Sequence, residues 1–409
     1  MKKGTDKRMG LACAGGVVEG AIYEIGALCA LEEAIEGLDF TKMDVYVGVS
    51  SGSIISACLA NRVTPRTLSR AIISEADPEL NIRPEIFFEP AFSEYGRRLG
   101  RLPKTLWRAL RRYLNNPRDL SLFSIFASLG PIIPAGFFDN RNIESYLSLA
   151  FSRGGRTNDF RDLRGKLRVI SVELDSSEIV CFGDETHADV PISKAVQAST
   201  ALPGMYSPVK IGDAYYIDGV ARRTVHASTA LEEGVKLLFC INPIVPVNIH
   251  LNERELEETV GFSEDHLADH GLVAVLAQTF RTLVFSRMRA GFRVYEHRYP
   301  DADVILIEPK FDDYDMFFSN LFSFSNRQAV CERAYERTRA FLLENAEDLA
   351  PRLERQGLRL RVDVLEDTSR RLYDEPPAAL MTGSPTLREA DRVLTRLDEV
   401  LGRLRARAA

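Results

Sequence analysis

The sequence has few of the features that mark redox, disulfide-bonded or secreted proteins. Its six cysteines are scattered through 409 residues, and none belongs to a C-x-x-C pair. Most of them lie in apolar segments, as reduced and buried thiols do, which favours a reducing compartment. The basic start of the chain is followed by polar residues instead of an apolar stretch, so we expect no signal peptide.

Long apolar runs and a large excess of one charge are also missing. The longest uncharged run, Leu120 to Phe138, has about the length of a membrane span, but Gly130, Pro131 and Pro134 would break a helix in its second half. The net charge is −6, with acidic and basic residues well mixed, so nothing in the composition attracts nucleic acid. We therefore expect a cytoplasmic protein that does not bind nucleic acid.

What the sequence does have is a regular alternation of strand and helix patterns. Hydrophobic residues make up 45% of the chain, which is enough for a large core. The pattern predicts strands at Met9–Ala14, Val45–Val47, Leu167–Val172, Val235–Ile241 and Val304–Ile307, separated by helices. This alternation is typical of an α/β protein with helices on both faces of a mostly parallel sheet and functional groups at the carboxyl ends of the strands.

Changes in composition along the chain predict its domain organisation. We expect one domain over residues 1–342, with a basic helical insertion at about 85–135. Residues 343–409 are charged and helical, and they are broken at Asp374–Pro377, so we expect them to form a C-terminal appendage.

The strongest motif is the G-x-S-x-G sequence Gly48–Gly52, which lies between an apolar strand pattern and a helix pattern. A strand that turns directly into a helix exposes Ser50 at a sharp corner above the helix N-terminus, where developing negative charge is favoured. Gly48 and Gly52 leave room for the tight turn and for close packing of strand and helix. Ser50 is therefore a candidate nucleophile, and the alternative is an ordinary glycine-rich turn.

Two further segments could complete a catalytic site around such a serine. The glycine-rich loop Gly15–Gly20 follows the first strand, where backbone N–H groups can turn toward a bound anion; its spacing fits neither of the common nucleotide-binding loops. Asp218 follows the apolar run Ala214–Ile217, and a carboxylate at the end of a buried strand becomes a better base as its pKa rises. The alternative for Asp218-Gly219 is a simple β-turn.

Together these motifs resemble the patatin-like phospholipases, a family of serine acyl hydrolases with a Ser–Asp dyad. In that family a glycine-rich loop, a G-x-S-x-G motif and an Asp-Gly-Gly or Asp-Gly-Ala sequence follow one another in the order found here. Ala198–Gly204 and Gly136–Asp139 also resemble family segments. The resemblance covers about residues 8–245, more faintly to 342, and implies a three-layer α/β/α fold.

The resemblance also implies roles for individual residues. Asp218 would take the proton of Ser50, which attacks an acyl ester, and the amides of Gly15, Gly16 and Val17 would hold the oxyanion. The glycines that support these motifs are Gly20, Gly48, Gly52 and Gly219. The implied activity is of the phospholipase A or lysophospholipase type on membrane lipids or other acyl esters, with no metal and no organic cofactor.

Two residues of the glycine-rich loop depart from the family pattern. Val17 replaces a third glycine and restricts the backbone, whereas Glu19 replaces a basic residue and brings negative charge near the oxyanion. We expect Arg222 and Arg223, which follow the Asp218 loop, to compensate for Glu19. If they do not, the alternative is a catalytically weakened module that binds lipid or serves as a scaffold.

A Ser-His-Asp triad is the rival chemistry for Ser50. The α/β-hydrolase fold builds several strands before its nucleophile, but the residues before Ser50 allow only about one strand–helix unit before its own strand. We therefore expect the six histidines to be surface or core residues. His266 and His270 share a helix face but lack a third ligand, so a solvated helix is expected there instead of a metal site.

Residues 97–118 carry eight basic residues, no acidic residue and the only tryptophan of the chain. Leucines recur among them at helical spacing, a pattern that suits the headgroups of an anionic membrane and hence peripheral attachment to its inner face. The candidate membrane contacts are Arg101, Trp107, Arg108, Arg111 and Arg112. The alternative is a helix whose leucines face the core and whose arginines meet water.

The last helix pattern begins with a capping box at Thr386–Glu389 and continues with leucines at heptad positions as far as Leu404. A short coiled coil, and hence a homodimer, is one interpretation. The other is a helix docked on its own domain, because three heptads are marginally stable alone.

Overall fold

The structure, a computed structural model, describes residues 7–73, 80, 84–87, 89–91, 96, 107, 135–248, 266–310 and 327–373. The strands are β1 (Met9–Cys13), β2 (Ile35–Glu36), β3 (Val45–Val49), β4 (Glu89–Pro90), β5 (Gly136–Asp139), β6 (Lys166–Glu173), β7 (Ile179–Phe182), β8 (Gly204–Tyr206), β9 (Val209–Ile211), β10 (Ala214–Asp218), β11 (Leu237–Ile241), β12 (Asp303–Ile307) and β13 (Arg359–Leu360). The helices are α1 (Val17–Ala34), α2 (Ser51–Ala60), α3 (Pro65–Leu68), α4 (Arg141–Phe151), α5 (Ile192–Ser199), α6 (Ala227–Glu232), α7 (Gly271–Arg298), α8 (Arg327–Glu344), α9 (Ala346–Arg355) and α10 (Val362–Glu366).

Eight of the described strands form one mixed sheet in the order β12-β11-β1-β3-β6-β10-β9, with β7 also paired to β6. The five strands from β12 to β6 are parallel, whereas β10, β9 and β7 are antiparallel to their neighbours. Helices cover this sheet, so the predicted α/β/α architecture with a mostly parallel sheet is confirmed.

The central strands are apolar because both of their faces are covered. β3 and β11 are buried along their whole length and β1 along almost all of it, which explains why their sequences show no alternation of polar and apolar residues. Helix α1 is likewise buried on nearly all sides, since α2 and α8 pack against it. Gly26 allows the close approach of α8, because a Cβ atom there would collide with the backbone carbonyl of Cys331.

A second, three-stranded sheet lies beside the main one. β5 pairs antiparallel with β4 and parallel with β8, with Gly136 opposite Gly204 and Phe138 opposite Tyr206. These strands come from distant parts of the chain. They bring Gly136–Asp139, singled out from the sequence, next to the segment that precedes Asp218.

The segment after α8 packs on the same core as the main sheet. Strand β13 pairs antiparallel with β2, and Leu349, Leu353 and Leu360 belong to the core cluster that contains α1. The predicted appendage boundary at residue 343 stays a prediction. The C-terminal helix with its heptad pattern lies outside the described residues.

Most of the predicted basic insertion also lies outside the described residues, which include only the short pieces around β4, Gly96 and Trp107. None of the described helices combines the length and the hydrophobicity that a bilayer span requires.

Candidate active site

The register of the parallel strands brings the two glycine-rich motifs together. Cys13, the last residue of β1, lies opposite Gly48 of β3, so the loop after β1 and the turn after β3 meet at one edge of the sheet. A Cβ atom on Gly15 would lie 2.7 Å from the Cβ of Ser50 and 3.2 Å from its Oγ. Only a glycine therefore fits between the loop and the serine.

Ser50 occupies a strained turn between strand and helix. Its φ of 53° lies in the left-handed region that non-glycine residues rarely adopt, and α2 begins at the next residue. A Cβ atom at Gly48 would lie 2.5 Å from the Cα of Ser53, and one at Gly52 would lie 2.5 Å from the carbonyl oxygen of Cys13. The two motif glycines thus permit the tight turn and its contact with β1.

Asp218 is fully buried at the end of β10. Its Oδ1 accepts a 2.9 Å hydrogen bond from the Val220 N–H. Burial raises the pKa of this carboxyl to about 7, and interactions with the Ser50 hydroxyl and the Val220 N–H limit the rise. Oδ2 has no close hydrogen-bond partner in the described part of the chain, so the contact with Ser50 is loose, as is common before a substrate binds.

Ser199, at the end of α5, connects the turn at Ser50 with strand β6. Its Oγ accepts a 2.9 Å hydrogen bond from the Ser50 N–H and donates one of 2.6 Å to the Ile170 carbonyl. Two residues further on, the Ala201 carbonyl accepts a 3.0 Å bond from the Asp218 N–H. One short segment therefore holds the backbone of both Ser50 and Asp218.

The loop after β1 contains backbone amides that have no hydrogen-bond acceptor among the described residues. Gly20 N–H donates to the Gly16 carbonyl at 2.8 Å, which starts α1, whereas no described group accepts a hydrogen bond from the amides of Gly15 and Gly16. Gly16 and Gly20 both pack on Pro243, where a Cβ atom would lie 2.9 and 3.1 Å from the proline ring. Val17 adopts a φ of 57°, an unusual value for a residue branched at Cβ.

An apolar cavity opens beside Ser50. Val17, Ile54, Ile72 and Ile143 line it, together with further side chains from β8 and the segment before it: Leu202, Met205 and Tyr206. Apolar walls around a polar centre suit a ligand with a hydrocarbon part.

The structure corrects the expected partner of Glu19. Arg222 and Arg223 are exposed, and Arg281 of α7 is the cation whose charge acts on Glu19. Glu19 is buried, and burial raises its pKa to about 8 although Arg281 opposes the rise. The carboxyl is therefore mostly protonated at neutral pH and places little negative charge beside the loop.

Of the histidines, His226 comes nearest to the site residues in sequence and contacts them. Its ring Nε2 donates to the Gly219 carbonyl at 3.5 Å, and burial lowers its pKa to about 4. It is thus neutral at physiological pH and bonded to the loop that follows Asp218. Within the described residues, no group of three or more His, Cys, Asp or Glu side chains is placed to hold a metal ion.

Three residues that contribute to this site are not predicted by any motif in the sequence. Ser199 was part of a family-like segment, but its contacts with Ser50 and Ile170 are non-local. Arg281 and His226 belong to no motif.

Of the candidate membrane contacts, Trp107 is 61% exposed, and Arg101, Arg108, Arg111 and Arg112 lie outside the described residues.

The fold and the geometry define an α/β protein with a serine at a strained strand–helix turn, a buried carboxyl and a glycine-rich loop at one sheet edge. The chain belongs to the patatin-like phospholipase family, whose model matches residues 11–231, over half of the sequence. Membership implies lipid acyl hydrolase activity. No curated protein gives a significant match.

Among solved structures, the chain is similar to VipD from Legionella pneumophila, with 14% identity and a TM-score of 0.37 over 82% of this chain and 67% of that one. It is also similar to the type III effector protein ExoU, with 13% identity and a TM-score of 0.33 over 86% and 59%. A third match is the ExoU complex with SpcU from the type III secretion system of Pseudomonas aeruginosa, with 18% identity and a TM-score of 0.24 over 89% and 69%.

Proposed function

We propose that this chain is a serine lipid acyl hydrolase of the phospholipase A or lysophospholipase type, with Ser50 as nucleophile and Asp218 as base. The observation that carries the proposal is that one short segment, Ser199–Ala201, holds the backbone of Ser50 at its strained turn and that of the fully buried Asp218. Burial raises the pKa of the Asp218 carboxyl to about 7. A carboxyl with a pKa near neutrality can both accept and return a proton at physiological pH.

The proposed reaction has two halves. In the first, Asp218 takes the Ser50 proton while Oγ attacks the acyl carbonyl, and the alcohol leaves with that proton. In the second, Asp218 takes a proton from water as the water oxygen attacks the acyl-enzyme carbonyl. The bond from the acyl carbon to Ser50 Oγ then breaks, Asp218 returns the proton to Oγ, and the fatty acid leaves. The amides of Gly15, Gly16 and Val17 would hold the oxyanion in both halves, while the acyl chain would occupy the apolar cavity.

The test is hydrolysis of a panel of phospholipids, lysophospholipids and a soluble short-chain ester by the wild type, Ser50→Ala and Asp218→Asn. Each variant should lose turnover by roughly 10³-fold or more, because nucleophile and base act as a unit. A fluorophosphonate should label the wild type and leave Ser50→Ala unlabelled. A wild type that neither reacts nor turns over would favour the lipid-binding or scaffold alternative, and turnover retained in either variant would refute the dyad.

Thermal unfolding separates lost chemistry from lost folding. Because burial raises the pKa of Asp218 above its unfolded value, its ionisation costs folding stability that grows as pH rises from about 4 to above 7. Asp218→Asn removes that cost, so we expect its Tm to exceed that of the wild type at about pH 8, with a smaller difference at about pH 5. A variant that is inactive and less stable at both pH values would not support the assignment.

A further inference from the structure

Helix α7 presents an apolar stripe to solvent. Leu272, Leu276, Leu283 and Val294 are 72%, 57%, 59% and 57% exposed, and their spacing places them on one side of the helix. From Leu272 to Val294 the stripe is about 33 Å long at the rise of an α-helix. An exposed apolar surface of this length on one helix is typical of surfaces that bind a partner or a membrane.

The stripe is separate from the face by which α7 joins the domain. On the inner face, Val284, Met288 and Tyr295 are buried in a hydrophobic cluster that also contains Ala12 of β1 and Leu238 of β11. Gln278 binds the backbone of Val247 in both directions, donating at 2.7 Å and accepting at 3.2 Å. The helix is therefore anchored without its outer leucines.

The charged residues on α7 itself are almost all positive. Residues 271–298 contain five arginines and a single acidic residue. Arg289 pairs with Glu308, and Arg298 lies 3.9 Å from the Glu232 carboxylate. Arg287 and Arg293 are exposed and have no carboxylate partner among the described residues. An apolar stripe with arginines at its rim matches the boundary between headgroups and acyl chains in an anionic bilayer.

Helix α7 also contacts both loops of the candidate active site. Arg281 faces Glu19 in the first turn after the oxyanion loop, and Arg287 donates a 3.3 Å hydrogen bond to the Ala221 carbonyl, three residues after Asp218. A surface bound to this helix is thus held next to the place where the acyl ester would react.

We propose that the outer face of α7 docks the protein on an anionic lipid bilayer. The inference rests on the proposed function in one respect, because a lipid substrate explains why such a surface lies beside the site. It differs from the predicted contact at residues 97–118, since it uses another helix and an apolar stripe that the structure describes.

The experiment measures binding apart from hydrolysis. Ser50→Ala protein is sedimented with vesicles of phosphatidylcholine alone and of phosphatidylcholine with phosphatidylglycerol. The expected result is binding to the anionic vesicles that weakens with added salt, and a reduction of at least about tenfold in Leu276→Asp/Leu283→Asp and in Arg293→Glu. The matched control is Leu149→Asp in α4, a leucine that is 51% exposed and away from α7; it should bind like its parent.

Each other outcome overturns the inference. Equal binding by the leucine variants and their parent would show that the apolar stripe does not contact the bilayer. Equal binding to both kinds of vesicle would show that the arginines do not attract it. If the parent is a dimer, the leucine variants are monomers and vesicle binding is unchanged, the outer face of α7 is an interface between two copies of the chain. Turnover of the soluble ester, measured with Ser50 restored, reports on the proposed function independently, because it needs no bilayer.

Discussion

At the residue scale, the site depends on two carboxyl groups that burial keeps partly protonated. Asp218 has a pKa of about 7, and Glu19 has one of about 8. Ionisation of the two carboxyl groups has opposite effects on the proposed reaction. Asp218 acts as a base only when it is ionised, whereas a negative charge on Glu19 would repel the oxyanion. The proposed chemistry is therefore favoured at pH values where Asp218 is ionised and Glu19 is still neutral.

This pair of values predicts a bell-shaped pH profile. Below about pH 7, kcat/KM for a soluble ester should rise close to tenfold per pH unit as Asp218 ionises, and above about pH 8 it should fall as Glu19 ionises. Initial rates from about pH 5 to about pH 10 measure both limbs.

The matched variant for the alkaline limb is Glu19→Gln, which keeps the shape of the side chain and cannot ionise. In this variant kcat/KM should still rise up to about pH 7, but it should no longer fall above about pH 8. An unchanged fall would show that another group causes it, and loss of the rise would contradict the assignment of Asp218.

At the scale of elements, the segment from α5 to β10 holds Ser50 and Asp218, the proposed nucleophile and base, in place. Ser199→Ala removes the acceptor of the Ser50 N–H and the donor to the Ile170 carbonyl, and leaves two buried polar groups unpaired. We expect a loss of about 1–3 kcal/mol in the free energy of unfolding and a fall of roughly 10- to 100-fold in kcat.

The control for Ser199 is Ser56→Ala. Ser56 is also a fully buried serine, and its hydroxyl donates to the Val47 carbonyl at 3.2 Å without touching Ser50. It should lose stability and keep kcat, as measured by denaturant unfolding and ester turnover. Equal losses of kcat in both variants would mean that Ser199 acts only through general stability.

Most of the elements could be predicted from sequence, because their signals are local. The predicted strands Met9–Ala14 and Val304–Ile307 agree within one residue with the bounds of β1 and β12, since hydrophobic spacing and turn residues delimit them. The three-stranded sheet was not predicted. β4, β5 and β8 are two to four residues long and pair across large separations, which leaves no periodicity in the sequence.

The same distinction holds for the site. Ser50 and Asp218 could be singled out because each stands in a motif next to an apolar strand. The roles of Ser199 and Arg281 arise only when distant segments pack together, so no local pattern indicates them. The prediction that Arg222 and Arg223 compensate for Glu19 is wrong for the same reason. It rests on their closeness in sequence to Asp218, whereas Arg281 belongs to a helix that is distant in sequence.

At the scale of the whole molecule, Arg339 of α8 fastens the segment 346–373 to the sheet domain. Its buried guanidinium donates to the carbonyls of Val364 and Asp367 at 2.7 and 2.8 Å and lies over the Tyr335 ring. This one side chain replaces the backbone hydrogen bonds that the end of α10 lacks.

Arg339→Ala should therefore lower the free energy of unfolding by about 2–4 kcal/mol, because it leaves buried carbonyl groups unpaired. The control is Arg359→Ala, whose exposed side chain lies 3.8 Å from Glu36 and should change stability by less than about 1 kcal/mol. Denaturant unfolding compares the two, and ester turnover in the absence of denaturant should match the wild type in both. A similar small change in both variants would mean that the segment is held by its leucines alone.

The left-handed backbone of Val17 has a consequence for how this loop meets a reacting ester. A side chain branched at Cβ tolerates that conformation only because its surroundings enforce it, at a strain of roughly 1–3 kcal/mol. A glycine at the same position would allow the loop to adopt several backbone conformations when no substrate is bound. With valine, the amides of the proposed oxyanion loop are held in one arrangement, so little rearrangement of the loop would remain to be made during bond formation.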